Sequence, residues 1–186
     1  MTFTHSIMFH HFHNKKHCPS QGSIDCDDFE NIIKWIRKNY NLIGANEYLS
    51  KLKQKKLQEN DICLSFDDAL LSQYDVAVPI LQRYNLDVFF FIYTSIFTND
   101  PDYLEIYRYF RNVCFSSLDE FYKLFFDATK NNYLEEYLLH KKKYSKLNYL
   151  SNFPFYTSND KWFRYLRDKM LGLARYQKLM NCLISQ

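Results

Sequence analysis

Two short apolar runs, residues 62–66 and 88–93, with one helical segment between them, constrain this chain more than any other feature. Both are far too short to span a membrane, and the first, flanked by polar residues, reads as a buried strand. Strand, helix, strand is the βαβ pattern of a parallel sheet. The first run stops abruptly in two adjacent carboxylates, Asp67 and Asp68. In such sheets ligands bind outside the carboxyl ends of the strands, which is where this pair falls. Two neighbouring carboxylates ionise together only near a cation or in good contact with water. A divalent metal, with one acid left for proton transfer, fits the pair; so does a turn former or a helix N-cap.

Period and capping signals supply the other elements. Residues 6–11 read as a first strand opening into a histidine-rich loop. Residues 25–39 read as a helix with Phe29, Ile32, Ile33 and Ile36 on one face. Its acidic first turn and basic last turn complement the macrodipole. Residues 46–56 read as a shorter polar helix, and 72–84 as a helix that Pro79 kinks or restarts. After Thr98 the chain turns to Tyr, Phe, Leu and Lys at helical spacing, with no convincing strand. Helices are expected over 103–113, after a capping box at Ser117–Glu120, over 132–147, and after a cap at 158–160. Gly172 interrupts the run before a last amphipathic stretch ending at Ile184. The expected organisation is an α/β unit over 1–98 and an α-helical, aromatic-rich segment over 99–186.

Composition removes several classes. Three glycines and no Walker-type or dinucleotide-binding pattern argue against a phosphate-cradling loop. A net charge of +3 is weak, and the lysine clusters at 51–56 and 141–146 read as solvated helix faces, so nucleic acid is not an expected partner. Cys18, Cys26, Cys63, Cys114 and Cys182 are odd in number and form no C-x-x-C, which favours free thiols. Residues 1–17 carry five histidines and no apolar core of a secretory signal, and no membrane span is found. A cytoplasmic protein is the expectation.

One stretch carries a resemblance. Ser65-Phe66-Asp67-Asp68, followed by Tyr74, Pro79-Ile80-Leu81, Tyr84-Asn85-Leu86 and Phe89-Phe90-Phe91-Ile92, resembles the polysaccharide deacetylase family, also called NodB-homology or carbohydrate esterase family 4. That family's first motif is Thr-Phe-Asp-Asp-Gly, with a following helix and a strand ending in Phe-Phe. Met8-Phe9-His10-His11-Phe12 is similar to the Tyr-His or Phe-His segment on the first strand of many members. The resemblance covers about the first half of the chain. It implies the N-terminal portion of a distorted (β/α) barrel, followed by a mostly α-helical segment, with the barrel incomplete. It also implies a zinc-dependent N-deacetylase acting on an N-acetylated carbohydrate in surface-glycan metabolism. By position, Asp67 would be the general base and Asp68 a metal ligand.

The departures are as informative. The family's Gly after the Asp pair is Ala69. Its two histidine ligands come from a His-[Ser/Thr]-x-x-His motif after the pair, where this chain has only His140, in a different pattern. Three protein ligands are usual for a catalytic zinc. His13 and His17 have a spacing that would put both rings on one helical face, but in a loop-like, lysine-flanked context. His10 and His11, at the end of the first strand, have the better case for touching substrate or metal-bound water; strand alternation would point one of them into the site. The chain therefore reads as a truncated or inactive deacetylase-like hydrolase. A non-catalytic carbohydrate-binding or assembly protein stays open, and so does a magnesium-dependent phosphatase, although such enzymes space their aspartates D-x-D. The aromatics after residue 99 read as core, with Tyr156 and Trp162 the two candidates for stacking on a sugar.

Overall fold

The structure, a computed structural model, describes residues 5–186. The reading of the N-terminus as lacking a leader falls partly on residues 1–4, outside the described residues. The chain divides into two compact units between Asp102 and Tyr103.

β3 (Asp61–Phe66) is the centre of the first unit, with all six residues buried. One edge pairs in parallel with β1 (His5–Phe9) along its length, Phe9 opposite Phe66. The other edge is shared. β2 (Asn41–Leu42) pairs with its start at Asp61 and Ile62, and β4 (Phe89–Phe90) with its end at Ser65 and Phe66. A strand bonded on both edges and covered on both faces reads as a continuous apolar run, which is the pattern of residues 62–66. The architecture is mixed α/β with a parallel sheet.

α1 (Cys26–Asn39) is capped by Asp25, whose carboxylate accepts from the Asp28 N–H. It buries Phe29, Ile33 and Ile36 in one cluster with Phe9, Phe12, Ile62, Leu64 and Phe66. α2 (Ala45–Lys53) borrows its cap from afar: Asp87 Oδ2 accepts from Asn46 N at 2.8 Å, and Asp87 O from Ala45 N at 3.0 Å. Gly44 makes room for this, since a Cβ there would stand 1.9 Å from Asp87 Oδ1. The expected helix over 72–84 is two pieces, a π-helical turn (Gln73–Ala77) and α3 (Val78–Arg83). Pro79, lacking an N–H, sits in the first turn of α3, where none is needed.

Residues 88–93 do not form the strand expected along their whole length. Only Phe89 and Phe90 pair, Phe91 N adds one bond to Phe66 O at 2.7 Å, and the chain then turns into a 3-10 helix over Thr94–Thr98. β3 ends at Phe66, so beyond it the backbone has no neighbouring strand to bond. Phe91 and Ile92 are exposed. The first strand likewise ends at Phe9, before His10 and His11.

The second unit contains α4 (Tyr103–Val113), α5 (Leu118–Asn132), α6 (Leu134–Tyr144), α7 (Ser158–Tyr165) and α8 (Gly172–Ile184). Its core gathers Tyr107, Phe121, Phe125, Phe163, Tyr176 and Met180. Thr157, one residue before the expected cap, closes a capping box with Asp160, and buried Asp160 also accepts from the Tyr122 hydroxyl. Burial, then that carboxylate, push the Tyr122 phenol far above its ordinary range. Trp162 donates to the Tyr137 hydroxyl and stacks on Tyr165, while the Arg164 guanidinium lies over Tyr156. Among the described residues no helix is long and apolar enough to cross a membrane, and the five cysteines are free thiols.

At the N-terminal end of β3, fully buried Asp61 accepts from Asn41 Nδ2 at 2.6 Å, Gln58 N at 2.9 Å and Lys51 Nζ at 3.2 Å. Burial pushes its carboxyl up, but the Gln58 N–H, Asn41 and Lys51 together outweigh that and hold it below the ordinary value. A depressed native pKa stabilises the fold above the unfolded value, about 3.9, and the contribution disappears as pH falls through the native value. Urea midpoints measured against pH should therefore drop on the acid side below about pH 4, and Asp61→Asn should flatten that limb. At α2, Gly44→Ala and Asp87→Ala should each cost about 1 kcal/mol by chemical denaturation. The double variant should cost about as much as either alone, because both remove the same cap.

Candidate functional site

Parallel pairing of β1 with β3 brings two chain exits to one end of the sheet. His10 leaves β1 where Asp67 and Asp68 leave β3. His10 Nε2 lies 2.9 Å from Asp67 Oδ2, and His10 Nδ1 lies 3.3 Å from Asp68 Oδ2. One ligand atom from each of the three residues can be chosen so that all lie within 4.8 Å of one another. Beneath them Phe9, Phe12, Phe29 and Phe66 form a packed aromatic floor, with Phe66 stacked on Phe90 at 4.9 Å. The three side chains themselves are part-exposed, 41% for His10, 23% for Asp67 and 24% for Asp68, so the site is open to water on one side.

An ionised carboxylate only accepts, so His10 Nε2 donates to Asp67. In the neutral ring Nδ1 is then a lone pair, and it faces Asp68 Oδ2. Nδ1 is buried and has no hydrogen-bond partner among the described residues, and Asp67 Oδ1 is in the same position. A second ring proton would let Nδ1 donate to Asp68 Oδ2, and a cation between the two atoms would satisfy both. Two ligands at about 2.0–2.1 Å from a tetrahedral ion stand about 3.3 Å apart, which is the separation found here. Asp67 would then hold the far nitrogen of a ligating histidine, as carboxylates beside metal-bound imidazoles do.

His11 stacks on His10, ring centroids 4.9 Å apart and planes 10° apart. Strand alternation does not separate these two rings, because the strand has already ended at Phe9. His13 and His17 are not drawn into the cluster. Residues 13–17 form a bent loop with no helical face, His13 Nδ1 meets Ser23 Oγ at 2.9 Å, and His17 Nε2 meets Asp75 Oδ2 at 2.9 Å. His140 belongs to the second unit, where it meets the Tyr165 hydroxyl at 3.2 Å. A groove of about 490 Å³ beside α3 and β4, lined by Leu81, Leu86, Val88 and Phe90 among others, includes neither Asp67 nor Asp68.

Sequence reading missed Gln73. It is 1% exposed, and its Nε2 donates to His10 O at 2.8 Å and Asp67 O at 2.6 Å. A signal was present: Gln73 falls on the same buried stripe as Val76, Ala77, Ile80 and Leu81, the one polar member at i, i+3, i+4, i+7, i+8 spacing.

No family model matches this chain, and no curated protein matches it. Among solved structures, the Streptococcus pyogenes deacetylase PplD in complex with acetate is similar at 21% identity, with a TM-score of 0.40. The match covers 53% of this chain and 46% of that one, so the chain spans less than half of that protein's length.

The turn after β3 is strained: Asp68 and Ala69 have φ of +64° and +50°. Left-handed backbone costs a side-chain-bearing residue roughly 1 kcal/mol or more, and glycine almost nothing. Ala69→Gly should therefore raise unfolding stability by about 0.5–1 kcal/mol in chemical denaturation, with the larger freedom of the unfolded chain taking back part of the gain.

Proposed function

We propose that this chain is a hydrolase of the metal-dependent N-deacetylase type, acting on an N-acetylated amino sugar in surface-glycan metabolism. The observation that carries the reading is the convergence of His10, Asp67 and Asp68 beyond the carboxyl ends of two adjacent parallel strands. The motif around Asp67 and Asp68, with its resemblance to polysaccharide deacetylases, supplies the reaction class. On the same reading the four parallel strands belong to a (β/α) barrel. The cysteine thiols fit a cytoplasmic setting.

Asp68 Oδ2 and His10 Nδ1 are the proposed ligands, and zinc suits their nitrogen and oxygen donors. When bound, such a cation supplies Lewis acidity toward an amide carbonyl and a water. Asp67 is the proposed general base. Its Oδ2 is held by His10 Nε2–H, which keeps the carboxylate oriented, while its Oδ1 has no hydrogen-bond partner among the described residues and is the oxygen that would take a proton. His11, stacked on His10, offers a flat face and a polar edge to a sugar.

A second reading has an observation of its own. With Asp67 reserved as base, two protein donors remain where a catalytic zinc usually has three. A non-catalytic carbohydrate-binding protein needs no third. Zinc titration together with hydrolysis of N-acetylated sugars separates the two. Asp68→Ala should abolish zinc binding. Asp67→Asn should keep it and lower turnover about 10²–10⁴-fold. Glycan binding with no turnover and no dependence on Asp67 would establish the non-catalytic reading instead. Magnesium-dependent release of phosphate would overturn both.

A further inference from the structure

We infer that Gln73 is the positioning residue of this site, setting the spacing between the ends of β1 and β3 and so the fit of His10 to Asp67 and Asp68. The inference rests on the reading that His10 and Asp68 hold a divalent cation beside Asp67. The β1–β3 ladder ends with Phe9 opposite Phe66. One residue further on, the carbonyls of His10 and Asp67 have no next rung to join. The Gln73 carboxamide replaces it, giving one N–H to each carbonyl and tying the strands together where the site residues emerge.

A merely structural role does not call for this side chain. Gln73 lies on an otherwise apolar stripe, where leucine or methionine would fill the volume with no polar group to desolvate. Its Oε1 is buried and without a hydrogen-bond partner among the described residues, a cost that an apolar residue would avoid. The backbone around it is also unusual. Gln73 opens a π-helical turn, a rare geometry that recurs at functional sites. From the same turn Asp75 holds His17, so both ends of the loop from His10 to His17 are tied to it. With His10 pinned through its carbonyl, its ring swings about a fixed Cα, and the 2.9 Å and 3.3 Å contacts to the two aspartates are set together.

The test compares Co²⁺ titrations, followed by visible absorption and calorimetry, on the full chain and on Gln73→Met, Gln73→Asn, Asp68→Ala and Ile80→Val. Gln73→Met keeps the volume and loses both bonds, and should weaken Co²⁺ binding by about 10–100-fold and alter the d–d spectrum. Gln73→Asn retains the amide with a shorter reach and should fall between. Ile80→Val truncates a nearby buried residue and should lower the melting temperature with no change in affinity. A folded Gln73→Met that binds Co²⁺ as tightly as the native chain overturns the inference. Absence of Co²⁺ binding in the native chain would defeat the cation reading, and a metal-free measurement then decides the role of Gln73. The ¹⁵N shifts of the His10 ring report which nitrogen carries its proton. They should change in Gln73→Met and Gln73→Asn but not in Ile80→Val. Unchanged shifts in all three would leave Gln73 a packing residue and overturn the proposal.

Discussion

Parallel hydrogen bonding between β1 and β3 is the constraint on which the rest of the first unit depends. Because the strands run the same way, their carboxyl ends lie side by side, and residues 58 apart in sequence meet as His10 and Asp68. An antiparallel pair would put those ends at opposite edges of the sheet. β3 is also the strand that every other strand bonds to, with β2 and β4 dividing its second edge. Its two ends are treated differently. Asp61 at the start is buried and satisfied by three donors, which locks the strand; at the finish Asp67 Oδ1 and the neighbouring His10 Nδ1 have no hydrogen-bond partner among the described residues.

That asymmetry distinguishes the two ends of one strand. Around Asp67 the local rules that favour stability are broken together: two left-handed residues without glycine, a π-helical turn, a buried glutamine on an apolar stripe and orphaned polar atoms above an aromatic floor. Each costs free energy, and such costs persist where a site requires them. The second unit has departures of its own, a π-helical segment over Leu166–Leu171, a left-handed Leu150 and buried Arg111 Nε and Arg164 Nε without a hydrogen-bond partner among the described residues, but no group of metal-ligating side chains converges there among the described residues. Its buried acid, Asp160, is absorbed into a helix cap and a tyrosine hydrogen bond.

How much was legible follows from the range of each interaction. The start of α1 could be read from Asp25 and the acidic first turn, because capping is settled within four residues. The core face of Phe29, Ile33 and Ile36 followed from period alone. β2 was invisible, since two residues carry no period. The run 88–93 looked like a full strand because its composition is uniform, yet the length of a parallel strand depends on the neighbour, and β3 stops at Phe66. His13 and His17 had a spacing that means something only in a helix, and the chain there is a bent loop. Gln73 could have been noticed as a polar break in a buried stripe, but nothing local says which carbonyls it reaches.

The sequence by itself determined that this is an α/β chain with a parallel unit followed by a helical one, and that Asp67 and Asp68 stand at a strand end. These follow from apolar period, caps and the abrupt change from Phe66 to carboxylate, all written within a few residues. Only the tertiary structure decided which histidine joins them. Five histidines lie before the pair, and their spacing does not distinguish them. The choice of His10 arises from strand register, which sets Phe9 against Phe66 and therefore places the next residues of both strands within reach of a single ion.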